Sequence, residues 1–137
     1  MTPIQSILLA DDDPDDRFLF EEALSVADAS VQLEVAVDGV DALEKLRSAS
    51  GLPDVIFMDV NMPRMNGIDC LRELNGSTLK HIPVIMYSTS SHYQKECFEN
   101  GAIDYIEKPS DFEKLCTKLK MVLSKGLPHA PADPKKL

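Results

Sequence analysis

Four short apolar runs each end on polar residues of a different chemistry. Ile7-Leu8-Leu9-Ala10 leads into Asp11-Asp12-Asp13, and Val55-Ile56-Phe57-Met58 leads into Asp59. Val84-Ile85-Met86-Tyr87 leads into Ser88-Thr89, and Tyr105-Ile106-Glu107 leads into Lys108-Pro109. Carboxylates, a hydroxyl and an ammonium gathered at one place make a phosphoryl-transfer site. Crowded carboxylates repel, and left alone one of them keeps its proton. A hard divalent cation, Mg²⁺ or Mn²⁺, removes that conflict. Asp11, Asp12 and Asp59 are the candidate ligands, with the backbone carbonyl of Asn61 as a further one. Asp59 is the natural nucleophile, because a carboxylate can attack phosphorus and form an acyl phosphate. Lys108 would offset charge on the transferring group, and Ser88 can donate a hydrogen bond to a phosphate oxygen. Pro109 fixes the chain after Lys108 and is a candidate for a cis peptide bond.

These residues meet only if the runs are parallel strands of one sheet. Helix and strand patterns do alternate along the chain. Strands are expected at 6–10, 31–37, 55–58, 83–87 and 104–107. The second alternates apolar and polar residues, as an edge strand does. The third and fourth are almost wholly apolar, as a sheet covered on both faces requires. Helices are expected at 14–27, 39–49, from Asn66-Gly67 onward, at 91–100, and from Phe112 to about 124. Pro14 suits a first helical turn, with Asp15 and Asp16 favourable near its positive end. Val40, Leu43 and Leu46 share one face of the second helix, and Ile68, Leu71 and Leu74 one face of the third. Asn100-Gly101 stops the fourth. Phe112, Leu115, Cys116, Leu119, Val122 and Leu123 form the apolar stripe of the fifth. Five βα units in series give an α/β fold with a five-stranded parallel sheet between two helical layers, a (βα)5 three-layer sandwich. Ligands of such sheets bind beyond the carboxyl ends of the strands, where all four polar ends would lie.

The chain has 137 residues, a formal charge of −9 and a pI near 4.7. The size fits one domain with a real core. The acidic balance and the lack of a basic stripe argue against nucleic acid or an anionic membrane as partner. No apolar run approaches the roughly 20 residues that cross a bilayer, and Met1–Ser6 has no leader character, so a cytoplasmic protein is expected. Cys70, Cys97 and Cys116 are odd in number and widely spaced, which fits reduced thiols and neither zinc nor a disulfide framework. Residues 1–124 form the expected domain. Residues 125–137, with Pro128, Pro131 and Pro134, read as a flexible tail.

Plainer roles compete for several residues. Asp15 and Asp16 read as helix-start decoration. Thr89, Ser90 and Ser91 are expected to cap the fourth helix. Tyr87 reads as core or rim, and His81, His92 and His129 as surface residues. An EF-hand fails because Asp16 stands where its loop needs glycine and a strand replaces the entering helix.

The four motifs, Leu-Leu-Ala-Asp-Asp-Asp, Asp-Val-Ile-Phe-Met-Asp-Val-Asn-Met-Pro-Arg-Met-Asn-Gly, Pro-Val-Ile-Met-Tyr-Ser-Thr and Gly-Ala-Ile-Asp-Tyr-Ile-Glu-Lys-Pro, occur in order across residues 4–124. In this the chain resembles the CheY-like receiver domains of two-component response regulators. The resemblance implies the flavodoxin-like strand order 2-1-3-4-5. It implies that Asp59 is the phosphoacceptor, charged from the phosphohistidine of a sensor histidine kinase or a phosphotransfer protein. It makes Asp11 and Asp12 the acidic pair, with Asp12 the direct metal ligand, and Asn61 the carbonyl donor. Ser88 and Tyr105 become the switch residues, and Lys108 the lysine of the family pattern. Asp13 falls at a variable position. The fourth helix, fifth strand and fifth helix become the face that binds a downstream protein. The resemblance implies a signalling phosphoacceptor and not a turnover enzyme, acting as terminal output or as relay intermediate. One rival is a haloacid-dehalogenase-type phosphatase with Asp11 and Asp13 as its nucleophile motif, against which Asp15 stands where Thr or Val belongs. The other is a receiver-like domain without chemistry.

Overall fold

The computed structural model describes residues 3–127. Five strands, β1 (Ser6–Ala10), β2 (Gln32–Ala36), β3 (Val55–Met58), β4 (Val84–Ser88) and β5 (Asp104–Glu107), pair in parallel in the order β2-β1-β3-β4-β5. Helices α1 (Pro14–Ala27), α2 (Gly39–Ser48), α3 (Gly67–Asn75), α4 (Gln94–Glu99) and α5 (Phe112–Lys125) connect or follow them, with a short 3₁₀ turn at Thr78–His81. This is the flavodoxin-like three-layer sandwich.

The period-2 geometry of the strands splits the core in two. Leu8, Ile56, Met58, Val84 and Met86 face one way, onto Leu43, Leu46, Leu71, Leu74 and Cys97 of α2, α3 and α4. Ile7, Leu9, Phe57, Ile85 and Tyr87 face the other way, onto Phe20, Leu24, Leu115 and Leu119 of α1 and α5. Phe20, Phe57 and Tyr87 meet edge to face at centroid separations of 5.1–6.4 Å. Each such buried ring contributes about 2 kcal/mol through the area it removes from water.

Helix starts follow local side-chain chemistry. Asp13, Asp38, Asn66 and Asp111 are the N-caps of α1, α2, α3 and α5, each accepting from a backbone N–H of the first turn. The expected serine–threonine cap of α4 is absent. The helix begins at Gln94 after Tyr93, which makes no side-chain cap bond. The hydroxyls upstream are used in turns instead: Ser88 accepts from the Ser90 N–H, and Ser90 from the His92 N–H. The stripe on α5 holds for Leu115, Cys116 and Leu119, with Val122 and Leu123 partly buried, but Phe112 is exposed. Helix α5 runs through Lys125, Gly126 caps it at φ +66°, and Leu127 is buried, so folded structure continues past the expected boundary at 124. Of the expected tail at 125–137, residues 128–137, with their three prolines and His129, lie outside the described residues. The three cysteines are free and buried. Among the described residues no peptide bond is cis, so the Lys108–Pro109 bond is trans, against the expectation. No helix among them is long and apolar enough to cross a membrane.

Candidate functional site

Strand register builds the site. Ala10 pairs with Met58, Met58 with Met86, and Ser88 with Glu107. The residues that leave the sheet next are Asp11, Asp59 and Lys108, at one edge. Backbone bonds beyond the strands fix them: the Asp11 N–H donates to Ala36 O at 3.0 Å, Asp59 N–H to Ala10 O at 2.9 Å, and Lys108 N–H to Ser88 O at 2.7 Å. The opening of α3 is pressed against the same edge. A Cβ on Gly67 would lie 2.0 Å from the Asp59 carbonyl oxygen, so only glycine lets that helix start there. The Gly67 N–H donates to Val60 O at 2.8 Å.

Lys108 gathers the carboxylates. Its Nζ stands 2.8 Å from Asp11 Oδ2, 2.8 Å from Asp16 Oδ2 and 3.0 Å from Asp59 Oδ2. The contacts with Asp16 and Asp59 are hydrogen bonds. The contact with Asp11 is a short ion pair without that alignment, and the buried Asp11 Oδ2 has no hydrogen-bond donor. Asp11 Oδ1 accepts from the Asp13 N–H at 3.0 Å, and Arg17 donates to the Asp11 carbonyl at 2.7 Å. Burial pushes the Asp11 and Asp59 carboxyls above the usual carboxylate range, and Lys108 only partly counters it. Burial also works against the Lys108 ammonium, but its close contacts with Asp11 and Asp16 and the charge of Asp59 outweigh that and raise its pKa.

One ammonium therefore faces more negative charge than it can neutralise. Oxygens of Asp11, Asp12 and Asp59 lie within 4.8 Å of one another, and Asp12 opens the group to solvent. A trio of hard oxygen ligands that must share one ammonium fits a divalent cation. Asn61 follows on the exposed side, its N–H donating to Asp59 Oδ1 at 3.4 Å.

Ser88 is fully buried at the end of β4. Tyr105 is half-buried, and its hydroxyl donates to the Ser90 carbonyl. Burial raises its phenol above the ordinary value. Both switch candidates thus bear on Ser90. Tyr87 belongs to the core, with the Lys108 Nζ 5.4 Å from its ring centroid. Asp13 is the α1 cap, which turns its carboxylate toward Asp15 N and Asp16 N and away from a nucleophile pair with Asp11. His81 and His92 are exposed.

Sequence reasoning missed three participants. Asp16 bonds Lys108 instead of merely decorating α1. The signal was its place three residues past the Asp13 cap, where a capping-box carboxylate reaches back past the helix start. Arg17 holds the Asp11 carbonyl. Arg64 takes a left-handed φ of +63° in the β3–α3 loop and grips the buried Asp38 with two bonds of 2.7 and 3.1 Å. No spacing in the sequence pairs residues 26 positions apart.

Residues 7–120 match the response regulator receiver domain family. An uncharacterised response regulatory protein of Vibrio cholerae is 35% identical over 119 residues, which is 86% of this chain and 48% of that protein. Response regulator MprA of Mycobacterium tuberculosis is 33% identical over 93% of this chain and 54% of its own length, so the chain spans about half of the curated relatives it matches. The phosphorylated cyanobacterial phytochrome response regulator RcpA superposes with a TM-score of 0.81 at 28% identity, over 90% of this chain and 97% of that one. Register, ion cluster and family match agree: the chain belongs to the receiver domains of response regulators.

Proposed function

We propose that this receiver is a phosphoacceptor of a two-component phosphorelay, with Asp59 as the residue phosphorylated. The observation that carries the reading is the Asp59 carboxylate, 3.0 Å from Lys108 and grouped with Asp11 and Asp12. In the reaction an Asp59 oxygen supplies the electron pair for a new P–O bond. The bond from phosphorus to the donor histidine nitrogen breaks, and that nitrogen keeps the pair and takes a proton from solvent. Lys108 holds Asp59 and offsets charge on the phosphoryl oxygens. Asp11, Asp12, Asp59 and the Asn61 carbonyl would hold Mg²⁺ or Mn²⁺, which when bound would supply further positive charge to those oxygens. The known phosphorylated form of RcpA and Mn²⁺-bound form of Rcp1, the latter 26% identical with a TM-score of 0.79, support the reading.

The donor is a sensor histidine kinase or a phosphotransfer protein. Ser88 then turns toward the phosphoryl group and Tyr105 exchanges its bond to Ser90, which biases the face made by α4, β5 and α5 toward one protein partner. Incubation with acetyl phosphate and Mg²⁺ tests the assignment by intact mass. The parent protein gains one phosphoryl group and Asp59→Ala gains none. The same adduct on Asp59→Ala overturns it.

A further inference from the structure

Lys108 has three carboxylate partners, and they are not equivalent. Asp11 and Asp59 leave the sheet at the ends of β1 and β3, and their side chains are 0% and 9% exposed. Both belong to the trio suited to a divalent cation. Asp16 comes from the first turn of α1, its side chain is 31% exposed, and it is not part of that trio. A carboxylate that shares its charge with a cation holds an ammonium less tightly, and a cation nearby repels that ammonium. The grip of Asp11 and Asp59 on Lys108 therefore weakens when the trio is occupied. The grip of Asp16 does not.

We infer that Asp16 is a positioning residue: it keeps the Lys108 ammonium at the site when Asp11 and Asp59 are committed elsewhere. This rests on the phosphoacceptor reading for its purpose, though not for its geometry. An ammonium has three N–H donors, and Asp16 occupies one of them from outside the sheet edge. With that donor engaged, the ammonium stays beside Asp11 and Asp59, where phosphoryl oxygens arrive. Without it, Lys108 is free to swing on its long stem into solvent, and the transferring group loses its nearest protein cation. The same bond ties α1 to the β5–α5 loop, across 92 positions of sequence.

The Lys108 ammonium signal in ¹⁵N-labelled protein provides a readout independent of phosphorylation. Asp16→Asn and Asp16→Glu are compared with the parent chain, first with EDTA and then with saturating Mg²⁺. The parent keeps a protected Lys108 ammonium signal in both conditions. Asp16→Asn keeps it with EDTA and loses it with Mg²⁺, and Asp16→Glu restores it. Acetyl phosphate then modifies Asp16→Asn roughly fivefold more slowly, the scale of one partly exposed charge pair, and Asp16→Glu recovers the rate. An Asp16→Asn protein whose Lys108 signal survives Mg²⁺ as in the parent overturns the inference, as does an unchanged rate. A parent chain that takes no phosphoryl group sinks the phosphoacceptor reading instead, and the ammonium signal alone then decides the role of Asp16.

Discussion

Asp38 and Asp59 are both buried aspartates facing a cation, yet their carboxyls shift in opposite directions. The Arg64 guanidinium, bound through two parallel hydrogen bonds, holds the Asp38 carboxyl below the usual carboxylate range. Asp38 has little accessible surface, yet it lies near the outside of the molecule and loses little solvation. Asp59 lies deeper among apolar strand ends, shares its lysine with two other carboxylates, and is pushed up. A dedicated arginine closes a structural joint. A divided lysine leaves a charge deficit, and a charge deficit is what a cation-assisted site requires.

Removing Lys108 should break the comparison most severely. Lys108→Met leaves Asp11 and Asp59 without their cation, and metal-free protein should lose about 3 kcal/mol in urea unfolding. Millimolar Mg²⁺ should return most of it, because the trio then has another source of positive charge. A loss untouched by Mg²⁺ would mean that Lys108 acts through packing. Asp38→Ala, by contrast, should cost about 2 kcal/mol through the lost α2 cap and pair, with no recovery in Mg²⁺.

Acidity sharpens the contrast further. The folded pKa of Asp59 is raised, so its contribution is present below the unfolded value of 3.8 and lost as pH rises through the folded pKa. The folded pKa of Asp38 is lowered, so its contribution is present above 3.8 and lost as pH falls through the folded pKa. In EDTA, the stability of Asp59→Asn relative to the parent should climb as pH rises above about 4, while that of Asp38→Asn should fall as pH rises toward about 4 and stay level above it. Denaturant midpoints at a series of pH values check both slopes, and equal slopes would erase the distinction. The smallest effect belongs to the loop that the joint restrains. Arg64→Gly should melt above Arg64→Ala, since only glycine meets a φ of +63° without strain. Equal melting temperatures would show that the loop relaxes to another conformation.

Much of this was readable before any coordinates. Apolar runs with polar ends are a strong signal, because a parallel sheet covered on both faces tolerates little else. The register then brings Asp11, Asp59, Ser88 and Lys108 to one edge without further information. Asp16 was harder, since a carboxylate in a first helical turn has a sufficient local explanation in the helix dipole. The Asp38–Arg64 pair depends on how two loops meet in space. The start of α4 was misplaced for a related reason. Several hydroxyls in a row offer many caps, and the chain used them to shape the turn after Ser88 instead.

That turn leads into the least anchored helix of the described fold. Six residues, a single buried side chain at Cys97 and no side-chain bond at its entry leave α4 little to lose by shifting. Tyr105 and Ser88 both touch Ser90, four residues upstream of its first turn. On the switch proposed above, a modest push at the sheet edge would fall on the most compliant stretch of chain and not on the stiff core. The rest of the domain could then stay still while one patch of its exterior is rewritten.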